Sequence, residues 1–378
     1  MVDTIEKLNL STLDKTGWKT YRFDQIAKSI SERVDPTNTD LDIYVGLEHI
    51  DSDSIHITRF GKREDVTGTK LRCYPGDIIF GRRRAYQRKA AVAEFDGFCS
   101  AHSLVLRADQ KVIIPQLFPF FLHSDTFMNR AIDISVGSLS PTINWGTLKT
   151  QEFLLPPIEQ QTELAELLWA GDELLEKNKL ILRTLQNLRQ VIFTNVFKEL
   201  PEKKEWTRLK LEAVIKLSSG KTRPDILSEV ADDENRYPVY GGNGIIGYSD
   251  NHFVNPGTIV LGRVGEYCGV VHCTDLNAWI SDNALYVKEH LMEIDKTYLS
   301  RYLEYLDLNK QQNKGSHPLI NQSKVLQNHI YLPNKEDEKA IVKKILAIEL
   351  SVKRCEDKIE STKLVLKSII NQIFQDAY

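Results

Sequence analysis

Two long segments with the same apolar periodicity constrain the fold most strongly. The first runs from Ile158 to Leu200, between Pro156-Pro157 and Pro201, and the second runs from Lys335 to Tyr378. In both, apolar side chains recur at intervals of three and four residues, the pattern of a helix packed along another helix. We therefore predict two long paired helices. The expected seams are Leu164, Leu167, Gly171, Leu174, Asn178, Ile181, Leu185, Leu188 and Ile192 in the first, and Ile341, Ile345, Ile348, Val352, Cys355, Ile359, Thr362, Leu366, Ile369 and Ile373 in the second.

Gly171 and Asn178 interrupt the first seam. The equivalent positions of the second segment are Ile348 and Cys355, which are apolar. Polar residues in a seam commonly fix the register of paired helices, and a plain defect in the core is an equally good interpretation.

The sequence in front of each long segment is repeated as well. Pro75–Arg82 aligns without gaps on Pro256–Arg263, and the offset of 181 residues holds through Leu104 and Leu285. Positions 75–106 and 256–287 share eight identical residues, where average residue usage gives about two by chance. Each Pro-Gly pair is a turn signal and a short apolar run follows it, so we predict a buried strand there in both copies.

The two copies also open and close alike. Trp18 opens the first copy and Trp206 the second, and Ser140–Asn144 corresponds to His317–Asn321 at an offset of 177. Both copies enter their long segments at that offset. We predict a duplicated chain in which globular domains and helices alternate, with boundaries at 1–157, 158–200, 201–334 and 335–378.

Composition limits the classes of protein to which the chain can belong. Of its 378 residues, 42% are apolar and 27% are charged, as in an ordinary soluble protein with room for two domains. No segment approaches the roughly 18 continuous apolar residues of a membrane helix. The first residues, with Asp3 and Glu6, lack the form of a signal peptide. We therefore expect a cytoplasmic protein without a membrane partner.

The five cysteines form no CxxC pair, so the sequence predicts neither a disulfide framework nor a zinc ribbon. Cys268 and Cys273 flank His272, and we interpret these three as core or surface residues. No metal site is predicted.

Positive charge is concentrated in one stretch of the chain. The formal net charge is −3, yet Ile78–Ala93 contains no acidic residue and includes a run of arginines. A charge run is ordinarily a solvated surface. Arginine, lysine and glutamine side chains between two predicted strands are also the groups that bind the backbone and base edges of nucleic acids.

Three features together resemble the specificity subunits of Type I restriction-modification enzymes. They are the paired strands at Gly76–Phe80 and Gly257–Leu261, the start of the central helix at Leu155–Gln161, and the two-copy layout with helices as spacers. The resemblance covers nearly the whole chain, and the proline and Glu-Gln helix start is its most specific part. The second helix start departs from the pattern, with Asn334–Glu338 in that place, which leaves its boundary open.

The resemblance implies an α+β fold with two mixed α/β target-recognition domains, separated by two long antiparallel helices in a coiled coil and related by a pseudo-twofold repeat. Each domain is expected to read half of a bipartite, asymmetric sequence in double-stranded DNA, with the spacing set by the helices.

The resemblance further implies that this subunit does no chemistry. Two adenine methyltransferase subunits, which use S-adenosylmethionine, and restriction and translocation subunits, which use ATP and Mg, would assemble on it. A subunit of a methylation-only complex would have the same layout. A coiled-coil scaffold with two domains for ligands other than DNA is the alternative from another class.

The loop after the first repeated strand is the main candidate for contact with DNA. It contains Arg82, Arg83, Arg84, Tyr86, Gln87, Arg88 and Lys89, and the second copy keeps Arg263 and Tyr267. Shared residues are expected to support phosphate contact or loop shape, and unshared residues to set the different half-sites. Secondary candidates, each equally well a surface or capping residue, are Lys62, Arg63, His102, Lys221, Arg223, Tyr240, Asn243, Asn283, Lys314 and His317.

Motifs for catalysis or nucleotide binding are missing or occur in the wrong context. Gly242–Gly247 fits GxGxxG, but Tyr248–Asn251 follows it in place of a helix, so a turn-rich loop is the better interpretation. The sequence has no phosphate-binding loop of the form GxxxxGK with Ser or Thr, and no Asn-Pro-Pro-Tyr tetrapeptide. We therefore expect a binding subunit that holds no cofactor of its own.

Overall fold

The structure is a computed structural model, and it describes residues 13–198, 206–311 and 318–375. The chain forms two compact units. Unit 1 comprises Met1–Lys179 and Asp357–Tyr378, and unit 2 comprises Leu180–Glu356. Each unit therefore contains one of the two sequence copies together with about half of each long helix.

The described residues of unit 1 form three β-sheets and four short α-helices, besides parts of the two long helices. Its strands are β1 (Lys19–Arg22), β2 (Ala27–Ile30), β3 (Arg33–Val34), β4 (Ile43–Val45), β5 (Gly61–Lys62), β6 (Lys70–Cys73), β7 (Ile78–Gly81), β8 (Ala90–Val92), β9 (Gly97–Cys99), β10 (Ser103–Ala108) and β11 (Glu152–Leu155). Its short helices are α1 (Phe23–Ile26), α2 (Phe118–His123), α3 (Asp125–Asp133) and α4 (Trp145–Leu148). The sheets have the orders β1-β11, β2-β10-β7-β8 and β3-β6-β9-β4-β5.

The first long helix, α5 (Ile158–Lys198), contributes to both units. Unit 2 continues with β12 (Thr207–Lys210), β13 (Ile215–Ser219), β14 (Tyr237–Gly241), β15 (Gly244–Ser249), β16 (Ile259–Gly262), β17 (Val271–Cys273), β18 (Trp279–Ile280), β19 (Ala284–His290) and β20 (His329–Leu332). Its helices are α6 (Lys296–Tyr305), α7 (Gln322–Leu326) and the second long helix, α8 (Lys335–Phe374). The sheets have the orders β12-β20, β13-β19-β16-β17 and β15-β14-β18.

The duplication predicted from the sequence is confirmed at the level of strand register. Ile79 of β7 lies opposite Val105 of β10, and Val260 of β16 lies opposite Tyr286 of β19. Both pairs are related by the 181-residue offset of the sequence repeat. The two four-stranded sheets thus share their strand order and the register of their two inner strands, whereas β13 has a register shift against β19 between Lys216 and Leu217. All residues of β7 and β16 are buried, as predicted.

The two long helices begin at Ile158 and Lys335, as predicted. Unit 1 takes the first part of α5 and the last part of α8, whereas unit 2 takes the last part of α5 and the first part of α8. This division is the one expected for an antiparallel pair. Among the described residues, no helix is both long enough and apolar enough to cross a membrane.

The predicted seam is correct for α8 and partly wrong for α5. Eight of the ten predicted residues of α8 are buried, and Thr362 and Ile369 are half-buried. In α5, by contrast, Leu174, Ile181 and Leu188 are exposed. An α-helix with 3.6 residues per turn drifts by about 20° per heptad from a strict seven-residue repeat. Accordingly, the buried face of α5 passes through Leu164, Leu168, Asp172, Leu175 and Asn178.

Gly171 has a steric role that neither interpretation of the first seam included. A Cβ atom at this position would lie 3.0 Å from Cδ1 of Leu366, which belongs to the same unit. The missing side chain therefore lets α8 approach α5 closely at this point.

Each long helix starts with a side-chain bond to the indole of the tryptophan that opens its copy. Nε1 of Trp18 donates a hydrogen bond to Oε1 of Gln160 at 2.8 Å, and Nε1 of Trp206 donates to Oδ2 of Asp337 at 2.8 Å. Gln160 and Asp337 are equivalent at the offset of 177. The departure of the second helix start from the Glu-Gln pattern therefore preserves the hydrogen bond.

The next residue of each long helix accepts a hydrogen bond from a backbone N–H group. Oε1 of Gln161 accepts a hydrogen bond from the backbone N–H of Ile114 at 2.8 Å, and Oε1 of Glu338 accepts one from the N–H of Asp295 at 2.8 Å. Ile114 and Asp295 are equivalent at the offset of 181. Ile114 follows β10 in the chain and Asp295 follows β19, and both strands are inner strands of their four-stranded sheets. These bonds join the sheet to the helix in both units.

A phenylalanine packs the end of each long helix against the short helices. The ring of Phe374 lies 5.4 Å from that of Phe121 in unit 1, and the ring of Phe197 lies 5.4 Å from that of Tyr302 in unit 2. Aromatic pairs at such distances stabilise a core beyond the area that they bury. Phe197 and Phe374 are again equivalent at the offset of 177.

Replacing Gln161 by Ala should lower the free energy of unfolding by about 1–3 kcal/mol, because the N–H of Ile114 would lose the acceptor that this fully buried side chain supplies. Glu338→Gln keeps a side-chain oxygen at the equivalent place and should have a clearly smaller effect. Urea unfolding of the full chain, followed by circular dichroism, measures both. Gln190→Ala, at an exposed position of α5, is the matched control, and equal stability of the Gln161 and Gln190 variants would contradict the assignment.

A histidine joins a loop of unit 1 to the buried face of α5. Nε2 of His56 lies 2.6 Å from Oδ2 of Asp172, a carboxylate that is nearly inaccessible to solvent. The hydrogen bond to Asp172 and the negative charges of Asp172, Glu176 and Glu94 raise the pKa of His56, against the opposing effect of burial. The pair is therefore strongest with a protonated imidazole.

Because the pKa of His56 is higher in the folded chain, its stabilising effect is complete below the ordinary histidine pKa of about 6.5. It should be lost as pH rises through the raised value. The difference in unfolding free energy between the wild-type chain and His56→Gln should therefore shrink from pH 6 toward higher pH. Urea unfolding at several pH values tests this, and a difference that does not vary with pH would contradict it.

Candidate nucleic-acid interface

The arginine-rich loop of unit 1 is held by the segment that closes the first sequence copy. The backbone N–H of Ile143 donates to the carbonyl of Arg82 at 2.9 Å, and the N–H of Arg84 donates to the carbonyl of Pro141 at 2.8 Å. These bonds involve only backbone atoms. They therefore set the path of the loop without using its side chains.

Unit 2 contains the same two bonds. The N–H of Ile320 donates to the carbonyl of Arg263 at 3.0 Å, and the N–H of Gly265 donates to the carbonyl of Pro318 at 3.0 Å. All four residues are the repeat equivalents of those in unit 1. We call residues 82–89 and 263–268 the clamped loops.

Arg88 and Lys89, both predicted to contact DNA, are bound inside unit 1. Arg88 is 14% exposed, with Nε 2.6 Å from Asp53 and Nη2 2.9 Å from Asp125. Nζ of Lys89 donates to the carbonyl of Leu47 at 2.6 Å. These two side chains bind the loop to the rest of unit 1. This role differs from the prediction that they contact DNA.

The outward-facing side chains of the first clamped loop are Arg83, Arg84 and Tyr86, all of them exposed, while Gln87 is half-buried. Arg84 and Arg88 have φ angles of 57° and 51°. Non-glycine residues adopt this left-handed conformation only infrequently. The loop thus presents arginine and tyrosine on a short, sharply turned backbone.

Arg82 and Arg263 occupy the same place in the two units and share an unusual environment. Both are half-buried, and Nε of each is shielded from solvent without a hydrogen-bond partner among the described residues. The side chain of Arg263 has one long contact, 3.4 Å from Nη1 to Oγ of Ser219. Within the described chain, neither arginine forms an ion pair with a carboxylate.

Other predicted residues of unit 2 lie beside its clamped loop. The carbonyl of Asn283 accepts a hydrogen bond from the N–H of Arg263 at 3.0 Å. Lys221 forms a β-bridge with Ser281, two residues before Asn283. Tyr267 is in the loop itself and is exposed. The structure therefore brings these four predicted residues together.

Gly242 and Asn243 form the turn of the β14–β15 hairpin, whereas Gly244–Gly247 belongs to β15, so only the first part of the predicted turn-rich loop is a turn. Asn243 is exposed at its turn. A Cβ atom on Gly242 would lie 3.1 Å from the carbonyl oxygen of Val264, which places this turn against the second clamped loop.

The prediction for Tyr240 is wrong. Its side chain is 6% exposed and packs with Val260 and Ile280, because β14 directs it into the interior. Burial also raises the pKa of its phenol. Arg223 is exposed, and Lys314 and His317 lie outside the described residues.

The secondary candidates of unit 1 occupy two places. His102 is exposed and precedes Ser103, which lies opposite Gly81 at the end of β7, so it is near the clamped loop. Lys62 belongs to β5 and Arg63 to the turn after it, at the edge of the five-stranded sheet β3-β6-β9-β4-β5. Arg63 donates to the carbonyl of Thr39 at 2.8 Å.

Sequence reasoning missed the aromatic side chains next to Lys221. Its Nζ lies 4.3 Å from the ring centre of Phe253 and 5.6 Å from that of Trp279, distances typical of cation–π contacts. It also missed Leu139, which is 93% exposed in the segment that clamps the first loop. None of Phe253, Trp279 and Leu139 belongs to a sequence motif. Isolated apolar residues in a sequence ordinarily indicate core positions.

One cluster of potential metal ligands occurs among the described residues. The ligand atoms of His56, Asp172 and Glu176 lie within 4.8 Å of one another. The short His56–Asp172 distance is that of a hydrogen bond, and Glu176 pairs with Lys179 at 2.6 Å. An ion-pair network accounts for this cluster.

The clamped loops can bind anions and hydrogen-bond acceptors. Guanidinium groups match phosphate and guanine edges, and amide and phenol groups bind base edges and phosphate oxygens. This chemistry is that of a nucleic-acid contact.

Known proteins resemble this chain along most of its length. A family model described as the Type I restriction modification DNA specificity domain matches residues 15–186 and 203–361. The Type I restriction enzyme EcoDI specificity subunit of Escherichia coli is 30% identical over 189 residues. That match spans 48% of this chain and 42% of the relative, which is less than half of the relative's length.

Two solved structures share the fold. The S subunit of a Type I restriction-modification system from M. genitalium aligns with a TM-score of 0.62 and 14% identity, over 97% of this chain and 99% of that one. A chain from a structure of type I R-M complex assembly and conformational transition aligns with a TM-score of 0.57 and 20% identity, over 95% and 97%.

These likenesses favour the resemblance seen in the sequence over a scaffold for other ligands. Because the family model matches two regions that together cover most of the chain, one in each sequence copy, the protein belongs to the family of Type I restriction-modification specificity subunits, the non-catalytic S subunits.

Proposed function

We propose that this chain selects the DNA target of a Type I restriction-modification complex, and that each unit reads one half of a bipartite, asymmetric site in double-stranded DNA. The observation that carries the proposal is the pair of clamped loops. Two identical backbone frames present different side chains, which is what two readers of different half-sites require.

The positions between the clamps show the difference. Arg83 and Arg84 of the first loop correspond to Val264 and Gly265 of the second, while the backbone bonds around them are the same. Arginine is the commonest reader of guanine in the major groove. We therefore assign base reading in unit 1 to this pair together with Tyr86, and a different base preference to unit 2.

The helices offer a docking surface for the catalytic subunits. In unit 2, Val342, Leu346, Ala347 and Leu350 of α8 line a groove of about 430 Å³ bordered by Lys339 and Lys343. We propose that a methyltransferase subunit covers this groove. S-adenosylmethionine would enter with the two methyltransferase subunits, ATP and Mg with the restriction subunits, and the complex would act in the cytoplasm.

Genome-wide mapping of methylated adenine in a host that expresses the chain with its methyltransferase partner tests the proposal. The expected result is a single motif with two unlike half-sites and a spacer of fixed length. An unsplit motif, or methylation that does not depend on this chain, would rule it out.

Replacing Arg84 by Ala should weaken binding of the cognate duplex by about 1–3 kcal/mol, the usual energy of one base contact, without lowering the thermal stability. Arg88→Ala should instead lower the melting temperature, because Asp53 and Asp125 lose their partner. Fluorescence anisotropy and thermal unfolding distinguish the two, and an Arg84 variant with unchanged affinity would remove this residue from the interface.

Lengthening the helices should change the spacer alone. α5 has 41 residues and is thus about 60 Å long, more than one turn of B-DNA, about 34 Å. We expect matched insertions of about seven residues, or two turns, after Leu180 and Glu356 to alter the distance between the half-sites and leave both half-sites unchanged. Insertion of the same length into the exposed turn at 232–235 is the control, and a constant spacer in the helix variant would contradict the proposal.

A further inference from the structure

We propose that Arg82 and Arg263 are equivalent DNA-backbone anchors, each of which binds a phosphate group of the duplex and carries no sequence information. The inference rests on the proposed function, since it assigns a ligand to one residue of each clamped loop. Residues shared by the two loops are expected to support either phosphate contact or loop shape. The inference assigns phosphate contact to the two shared arginines.

Both arginines lack an ionic partner among the described residues. A buried donor ordinarily finds an acceptor, and a charge withdrawn from water is costly unless it is paired. Arg88 of unit 1, whose side chain is 14% exposed, illustrates the rule with contacts of 2.6 and 2.9 Å to Asp53 and Asp125. Arg82 has no such partner among the described residues, and neither has Arg263. The same deficit at equivalent places indicates an acceptor supplied from outside the chain.

The shape of the clamped loops does not depend on the two guanidinium groups. The path of each clamped loop is set by backbone bonds, to which Arg82 and Arg263 contribute only their carbonyl groups. Any residue can supply a carbonyl group. The guanidinium groups are therefore not required for the conformation that they accompany.

The distribution of the arginine between the two loops favours phosphate over a base as its ligand. The arginine is common to both loops, whereas the next two positions differ completely between them. A group shared by two readers of unlike half-sites cannot account for the difference in sequence. Phosphate is present at every step of every duplex, and a cationic side chain binds it in any sequence context.

The test uses the complex of the full chain with its methyltransferase partner. Binding to a duplex with the mapped target and to a scrambled duplex is measured by anisotropy at several salt concentrations. Arg82→Ala and Arg263→Ala should each weaken binding to both duplexes by about tenfold or more. Each should also reduce the slope of log affinity against log salt by about one.

Three further measurements separate this assignment from other roles. The methylated motif should be unchanged in both variants, thermal stability should be retained, and Arg82→Lys should recover most of the affinity, because a phosphate contact needs charge more than a bidentate fork. Arg59→Ala and Arg208→Ala remove exposed arginines elsewhere in the two units and serve as matched controls.

Each contrary result has a distinct meaning. A relaxed base preference at one half-site would make the arginine a base reader, a fall in melting temperature would make it structural, and affinity within twofold of the wild type would remove it from the interface. Any of these overturns the inference while leaving the proposed function intact. If the wild-type complex fails to prefer its mapped target, the proposed function itself fails.

Discussion

The hydrogen bonds at the starts of the two long helices determine how each unit is built. Gln161 and Glu338 each place a buried side-chain oxygen on the N–H of a residue that follows the central sheet strand. Those strands, β10 and β19, lie beside β7 and β16, from whose ends the clamped loops emerge. Helix, sheet and loop are thereby connected through a few bonds between fixed groups. Because a buried acceptor cannot be removed without stranding its donor, the same connection occurs in both units despite different side-chain chemistry.

Much of this fold was predictable because backbone requirements leave marks in sequence. The turn at Gly76 and the buried strand after it need particular residues, so these residues recur visibly in both copies. The face of α5 was less predictable, since Leu174 and Ile181 continue the heptad spacing while the helix itself rotates away from it. The prediction for Tyr240 was wrong for a similar reason. Successive side chains of a strand point to opposite faces of the sheet, so a shift of one position decides whether an aromatic ring faces solvent or the core.

The basic run in the sequence located the candidate site, but it did not predict the role of each arginine within the site. Arg82 and Arg88 belong to the same basic run, yet Arg82 has no ionic partner among the described residues, whereas Arg88 binds Asp53 and Asp125. Those acids are far away in sequence, so no local pattern reveals the pairing. The net charge of −3 also hides the local excess of positive charge. Phosphate attraction depends on where charge lies and on what partners add, so a nearly neutral subunit is compatible with a role in DNA recognition.

The backbone hydrogen bonds of the clamped loops separate folding stability from the choice of exposed side chain, two properties that mutations usually affect together. Arg83, Arg84 and Tyr86 face outward on a path that neighbouring backbone atoms define, and surface substitutions of this kind commonly change stability by no more than about 0.5 kcal/mol. A lineage can therefore try many side chains at Arg83 and Tyr86 without losing folded protein. The duplicated loop then provides two such positions of variation in one chain, and new combinations arise by exchanging one copy while the other is kept. The clamp thus makes the subunit evolvable as well as rigid.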